Sequence, residues 1–357
     1  MFQKLWEIIA IPLGYIMRWC YILVNDVMNL PVSYLFAIFL FTLITKALMF
    51  PLSLKQQKSS ASQAAFQPML NEINTKYAKD PQKKQEELAK FQREYGYSPM
   101  AGCLPLLINF PIIFGLIEVI YKPLSYMLRI PKDVLKILAD KAVEIGEKVA
   151  ANSRYIETNI IELVKTKTSE FTSIDISSLN ITNAEFTGYI DSIKNLDMTI
   201  GKVNLWEKPE LALSWALVIP IFSIATILLS SYVTMKATGG TADKTQRKSG
   251  YVMMGFSTLM FGFMSFTLPA AFSLYWGFSN LITVFQSLLL KRFVNAEKIK
   301  KEIEERIKAK RQEAKASKKV KIIDKDGSEV VKEMSPDELA RYRLQKAREI
   351  DAEKYDS

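Results

Sequence analysis

Histidine is absent from the 357-residue sequence. That excludes imidazole acid–base catalysis, Ser-His-Asp triads and His-ligated zinc. Cysteine is scarce: Cys20 and Cys103 are too few for an all-cysteine metal site or a disulfide framework. A strong apolar stretch separates them, and if the chain crosses a membrane there, they face opposite sides and cannot pair. A phosphate-binding loop is also missing. The nearest approach, Gly239-Gly240-Thr241-Ala242-Asp243-Lys244-Thr245, has Asp243 where a glycine must precede the lysine. No cofactor, no metal and no catalytic residue is expected. Charge itself is missing locally: residues 34–54 carry only Lys46, and residues 250–290 carry none. Average figures of 49% hydrophobic and 24% charged residues hide this segregation. The chain is an all-α polytopic membrane protein with polar flanks, not a water-soluble globule.

A span needs about 20 mostly apolar residues. Windows at 33–54, 103–128 and 211–235 meet that length. The uncharged stretch 250–290 is too long for one crossing and is broken at Leu268-Pro269, so it divides into 250–268 and 270–290. Five spans result. Lys and Arg concentrate in 55–101, in 236–249 and in the tail 291–357, three segments that share one side if there are five spans. The positive-inside rule makes that side the cytoplasm and puts the N-terminus and the loop 129–210 outside. Residues 3–24, within a leading segment 1–30, carry Glu7, Arg18, Pro12 and Gly14 and read as a helix in the outer interface, with Trp6, Tyr15, Trp19 and Tyr21 at headgroup level. A sixth span is the competing reading.

Residues 55–101 read as a helical hairpin broken at Asp80-Pro81. Ala65, Met69, Ile73 and Tyr77 form an apolar stripe on one arm, and Leu88, Phe91 and Tyr95 on the other. Residues 131–168 read as helix, and 169–208 as a Thr/Ser/Asn/Ile-rich segment without a motif. The net charge is +10, and residues 291–321 hold 13 Lys/Arg against 5 Asp/Glu. Such a charge suits phosphate-bearing partners, ribosomal RNA or anionic phospholipid. Lys291, Arg292, Lys298, Lys300 and Lys301 lead this tail, whose end is expected to be partly disordered. The plain alternative is the positive-inside rule at work.

Charges at bilayer depth are costly, about 2.5–3.5 kcal/mol on insertion scales, and mark functional sites by default. Lys46 lies about 12 Å from the inner end of its span at ~1.5 Å per residue. Thr42, one turn away, shares its face. Reckoned from the span ends, Asn109, Thr226 with Ser230, Ser257 with Thr258, and Gln286 with Asn280 come to a similar level. Together they outline a hydrophilic groove open to the cytoplasm, since polar groups facing lipid would go unsatisfied. Hydrogen-bond glue between helices is the competing reading for the Ser and Thr residues. Glu118 lies nearer the outer face, with Lys122 at i+4 as its simplest partner.

The segments TLITKALMFPLSLKQQKSS at 42–60, FQPMLNEINTKYAKDPQKKQEE in the hairpin, GCLPLLINFPIIFGL at 102–116 and LPAAFSLYWGFSNLITVFQSLLL at 268–290 closely resemble the YidC/Oxa/Alb family of membrane protein insertases, in the five-span form of Gram-positive bacteria. The resemblance implies an insertase and chaperone in the bacterial cell membrane, a monomer, whose partners are nascent membrane proteins, the Sec translocon, the ribosome and anionic phospholipids. It implies a groove in which Lys46 attracts the polar part of a client while the apolar part passes into lipid, without covalent chemistry. Trp276 then becomes a client-contacting aromatic. The family usually has arginine where Lys46 stands, and its outer loop is usually shorter. Other readings of the same polar cavity are a phospholipid scramblase and a small-solute transporter.

Overall fold

The computed structural model describes residues 2–98, 104–146, 153–209, 215–237, 244–315, 318–323, 329–334 and 336–355. Cys103, the glycine pair 239–240 and the first residues of the predicted span 211–235 lie outside these. The chain divides into two units, residues 1–64 with 98–295 and residues 65–97 with 296–357.

The first unit is helical. It comprises α1 (Phe2–Ile22), α2 (Ser33–Leu48), the start of α3 (Phe50–Lys76), α5 (Leu104–Tyr121), α6 (Lys132–Ile145), α7 (Ile156–Thr166), α8 (Thr168–Thr172), α9 (Asn183–Asn195), α10 (Val218–Ala237), α11 (Lys244–Thr267) and α12 (Ala270–Leu290). A helix thus occupies each of the five apolar stretches. Glu7–Val27 and Trp215–Ala237 are each long and apolar enough to cross a membrane, and Ser33–Leu48 qualifies together with α3 across a 63° bend. The predicted span 33–54 therefore stops short, at Leu48. Pro51 cannot donate to the α2 ladder, and its ring clashes with the preceding turn, so the helix breaks and restarts with proline in its first turn. The span 103–128 is likewise interrupted. Pro123 ends the regular ladder, and Leu124–Leu128 continues as a π-helical turn. Between α11 and α12 the break sits at Leu268-Pro269.

α10 and α12 form the most extensive helix interface of the unit. Gly277 permits it, because a Cβ there would lie 2.4 Å from the Phe222 ring. Three buried serines tie α10, α11 and α12 together at the ends nearest Pro269: the Ser265 hydroxyl donates to Ser223 Oγ (3.3 Å), and Ser273 donates to the Ser265 carbonyl (3.1 Å). The described residues of the long loop 129–210 contribute to the same core. Val134, Leu138, Ile160, Ile161, Phe171, Phe186, Ile190 and Trp206 are buried together with Tyr34, Phe41, Leu116 and Phe272. A two-residue hairpin, β1 (Thr199–Ile200) with β2 (Val203–Asn204), leads into a clamp on α12. The Ala270 and Ala271 N–H groups, which have no partner inside their own helix, donate to the carbonyls of Glu207 and Leu205, both at 2.8 Å.

Glu157 pins α7 to the π-helical turn. It is buried and accepts from the Ser125 backbone N–H (2.9 Å) and from the Ser125 hydroxyl. Burial pushes its carboxyl from 4.5 up to about 7, against the hydrogen bonds from Ser125 that pull it down. Between those values the folded loop keeps a proton that the unfolded chain has released. Stability is thus fullest near the bottom of the window and falls as pH rises through it. Corrected amide exchange in α7 is expected to be slower near about pH 5 than near about pH 8. Glu157→Gln should remove the difference, and equal protection at both values in the unaltered protein would contradict this.

The second unit holds the rest of α3, α4 (Pro81–Tyr95), α13 (Ala296–Lys315), the hairpin β3 (Lys318–Ile323) with β4 (Glu329–Met334), and α14 (Pro336–Tyr355). Asp80 caps α4 by accepting from the Lys83 N–H at 3.0 Å, one residue before the proline. Phe66, Leu70 and Phe91 pack with Ile307 of α13, bordered by Met69, Ile73, Leu88, Tyr95 and Ile303. Met69 and Ile73 of one predicted stripe and Leu88, Phe91 and Tyr95 of the other join this core, but Phe66 and Leu70, outside the predicted stripe, hold its buried centre on the first arm, and α13 adds Ile303 and Ile307. The tail's strands were not visible in its high charge: the Val-Lys-Ile-Ile and Val-Val-Lys runs flank an Asp-Gly turn signal that charge counting passes over.

Candidate functional site

The bend after Leu48 makes the site. α3 leaves the end of α2 at a 63° bend, and Ser53, Gln56, Gln57 and Ser60 recur at i, i+3, i+4 and i+7, so they share one face. On α12, Thr283, Gln286, Ser287 and Leu290 repeat the same spacing. These two faces, with Lys46 and Met49, Asn109 of α5 and Thr234 of α10, line a cavity of about 190 Å³, enough for several waters.

Lys46 is held at both its ends by α12. Its Nζ donates to Thr283 Oγ1 (3.1 Å), and Thr283 passes its own proton to the Ser279 carbonyl (2.8 Å). Gln286 Nε2 donates to the Lys46 carbonyl (3.2 Å), one of the last-turn carbonyls that α2 leaves open. An ammonium has three protons to donate. Among the described residues Thr283 takes one, and no carboxylate pairs with the charge. Nor do the described residues contain a group of three or more His, Cys, Asp or Glu able to hold a metal. The cavity is therefore cationic, polar and free of acidic side chains. Toward Pro269 it gives way to helix-to-helix hydrogen bonds: Thr234 with Ser287 (3.3 Å), Ser230 to Asn280 Oδ1 (2.9 Å), then the three serines.

Of the residues singled out in the sequence, Lys46, Asn109 and Gln286 come together here. Seven of the predicted polar and aromatic residues do not line the cavity, Ser230, Thr258 and Asn280 among them. Thr42 is fully buried and bonds back to the Ile38 carbonyl (2.6 Å). Thr226 is buried and donates to the carbonyls of Phe222 and Ser223, while Thr234, two turns further along α10, faces the cavity instead. Ser257 donates to the Met254 carbonyl in its own helix. Trp276 stacks on Phe261, with ring centroids 3.9 Å apart, and on Phe272. Span ends give depth but not rotation about the helix axis, so residues at one level can point away from the cavity. Thr283, Ser53, Gln56 and Gln57 were missed for the complementary reason: their stripe signal lies across a bend or beside a residue already chosen.

Glu118 takes the predicted partner, Lys122, at 3.5 Å, with Arg154 of the long loop at 3.9 Å. The Arg154 guanidinium also covers the Tyr121 ring, 4.3 Å from its centroid. In the tail, Lys291, Arg292, Lys298, Lys300 and Lys301 are all exposed. Lys298 and Lys300 reach Glu302 and Glu304 at 4.0 and 3.9 Å, pairs that contribute little at a surface.

Three relatives cover most of the chain. It is 26% identical over 270 residues to a protein of Clostridium perfringens named membrane protein insertase YidC, covering 74% of this chain and 81% of the relative. It is 27% identical over 321 residues to membrane protein insertase YidC 2 of Listeria innocua, covering 87% and 82%. The Treponema denticola protein named membrane protein insertase YidC is 27% identical over 256 residues, 72% of this chain; the match spans only 34% of that relative's length. A family model described as 60Kd inner membrane protein matches residues 24–298, a stretch that includes every residue lining the cavity around Lys46. This multi-pass helical membrane protein therefore belongs to the 60Kd inner membrane protein family, that is, to the YidC/Oxa/Alb group.

Proposed function

We propose that the protein is a membrane protein insertase of the bacterial cell membrane, which admits hydrophilic segments of nascent membrane proteins to the cavity around Lys46 and releases their apolar segments into lipid. One observation carries this reading: a cation without a carboxylate partner among the described residues sits in a cavity lined mainly by polar side chains and roomy enough for several waters, between helices whose other faces are apolar and exposed. Phe36, Leu43, Leu228, Leu229, Phe285 and Leu288 are among those exposed residues. Lys46 lowers the desolvation cost of a client's acidic segment, and burial of about 20 apolar residues in hydrocarbon supplies the driving force. No bond is made or broken.

In this reading α2, α5, α10, α11 and α12 are the five spans, the cavity is a groove open to the cytoplasm, and the loop 129–210 closes the outside. α1 lies at the outer interface. Supporting this, Ile9 and Leu13 meet Gly115, Gly14 meets Tyr126, and the Tyr21 hydroxyl bridges the Asn195 carbonyl and the Asp197 N–H, contacts that tie α1 to α5 and to the loop assigned here to the outside. The N-terminus is then outside and the C-terminus in the cytoplasm. The protein works as a monomer, alone or with the Sec translocon, and its basic flank meets anionic phospholipid. Purified protein reconstituted in liposomes should insert a short single-span client; empty liposomes give the baseline, and a rate equal to that baseline counts against the reading.

The tail from Lys291 is the ribosome-facing part. Truncation after residue 293 should leave the first unit folded and lower ribosome co-sedimentation, an effect that fades steeply with added salt because rRNA is a polyanion. Unchanged co-sedimentation at low salt would reduce the tail to a topological anchor.

A further inference from the structure

Hydrogen bonds tie the loop 129–210 to α12, to α1 and to the π-helical turn that follows α5. The Leu205 and Glu207 carbonyls accept from the first N–H groups of α12. The Asn195 carbonyl and the Asp197 N–H share the Tyr21 hydroxyl of α1. Glu157 of α7 takes both the N–H and the hydroxyl of Ser125 in the turn. In the orientation proposed above, the loop thus runs as a strap across the outer ends of α5 and α12. The same two helices line the cavity further in, through Asn109 and through Thr283 and Gln286.

These ties differ in kind. The one to α12 joins backbone to backbone and does not respond to pH. The one at the turn depends on a buried carboxyl. Lys122, at the end of α5, is the cation that acts on it, and Lys122 is shared with Glu118 at 3.5 Å. Arg154, just before α7, also serves Glu118, at 3.9 Å, and covers Tyr121. The other titratable groups around this tie are Tyr155, Tyr126 of the turn and Glu7 of α1. α6 and α9, which also pack on the turn, bury only apolar side chains. With its proton, Glu157 leaves no charge in this core and still shares hydrogen bonds with Ser125. Without it, a buried anion has no cation of its own, and the contact weakens. Burial places that change at about pH 7.

We infer that the loop is a strap over the client's way out, and that Glu157 with Ser125 is its catch, closed when the outside is acid and released as the outside pH rises. The inference rests on the insertase reading and its orientation. Release lifts the strap from α5 while α12 stays clamped. The cavity around Lys46 keeps its shape, and the client's hydrophilic segment gains a path past the lifted end.

The test follows translocation of a client's hydrophilic tail by the full-length protein in liposomes buffered alike on both sides. The tail carries no group that titrates between about pH 6 and about pH 8, a window in which the carboxylate fraction of Glu157 rises about tenfold. The unaltered protein should therefore translocate the tail up to roughly tenfold faster at the upper pH. Glu157→Gln stays neutral, so it should match the unaltered protein at the lower pH and gain nothing at the upper. Ser125→Ala removes a hydrogen bond that favours the charged carboxyl, so it should move the rise to higher pH, and it decides the matter if Glu157→Gln does not fold. A rate that does not rise with pH in the unaltered protein, or that rises equally in Glu157→Gln, overturns the inference and leaves the insertase reading standing. Equal loss at both pH values in Glu157→Gln also overturns it, since that marks a packing role. If the unaltered protein inserts no client at either pH, the insertase reading falls and the inference with it.

Discussion

Lys46→Glu is expected to lower the insertion of a client with an acidic hydrophilic segment by well over tenfold, the largest effect of any single substitution here. The change removes a charge-assisted donor, which alone is worth on the order of tenfold, and puts a like charge where the client's carboxylate must pass. Lys46→Ala should fall between this and the unaltered protein. Lys46→Arg should keep most of the activity, because the charge remains and Thr283 Oγ1 still offers an acceptor 3.1 Å from the present Nζ. Clients without an acidic segment should distinguish the variants much less. Insertion rates in liposomes check all four, and equal rates for Lys46→Glu and the unaltered protein on the acidic client would remove the electrostatic role.

Gly14→Val is expected to be the most disruptive substitution outside the cavity. A Cβ at position 14 would lie 2.6 Å from the Tyr126 carbonyl oxygen and 2.8 Å from the Tyr126 Cβ. The obstacle is backbone, so no side-chain rotation relieves it. Overpacking of this kind costs about 1–3 kcal/mol, and a β-branched residue belongs at the upper end. α1 should separate from the π-helical turn, loosening the Arg129–Tyr15 contact and the Tyr21 bridge to residues 195–197. The thermal transition should drop by several degrees, and a disulfide engineered between α1 and the turn should form less readily. Gly188→Val, where a Cβ meets nothing within 4 Å, is the control and should behave as the unaltered protein.

Part of this architecture is legible in the sequence, because long apolar runs and proline breaks constrain where helices begin and end. Leu268-Pro269 divides two helices, Asp80-Pro81 starts a third, and Glu118 has its cationic partner one turn on, at Lys122. The rest needed three dimensions. The loop 129–210 contributes Trp206, Phe186 and Ile161 to the main core, but its apolar residues are spaced among Thr, Ser and Asn, so no long run announces them. In the cavity, the sequence shows that Lys46 is buried and costly. It does not show the 63° bend after Leu48 that brings Gln56 and Gln57 to the cavity, so they read as part of a water-exposed hairpin. Thr283 was available as the residue one turn before Gln286 on the same face. Trp276 stood out by its type and turned out to hold α11 to α12 by stacking on Phe261.

Site-specific photo-crosslinking to a client arrested during insertion tests the central claim most directly. A photoreactive residue placed at Gln286, Asn109 or Ser53 should capture the client's hydrophilic segment, since these three line the cavity with Lys46. The same group at Thr42 or Ser265, both fully buried, should capture none. Capture at the buried pair without capture at the cavity positions would contradict the account.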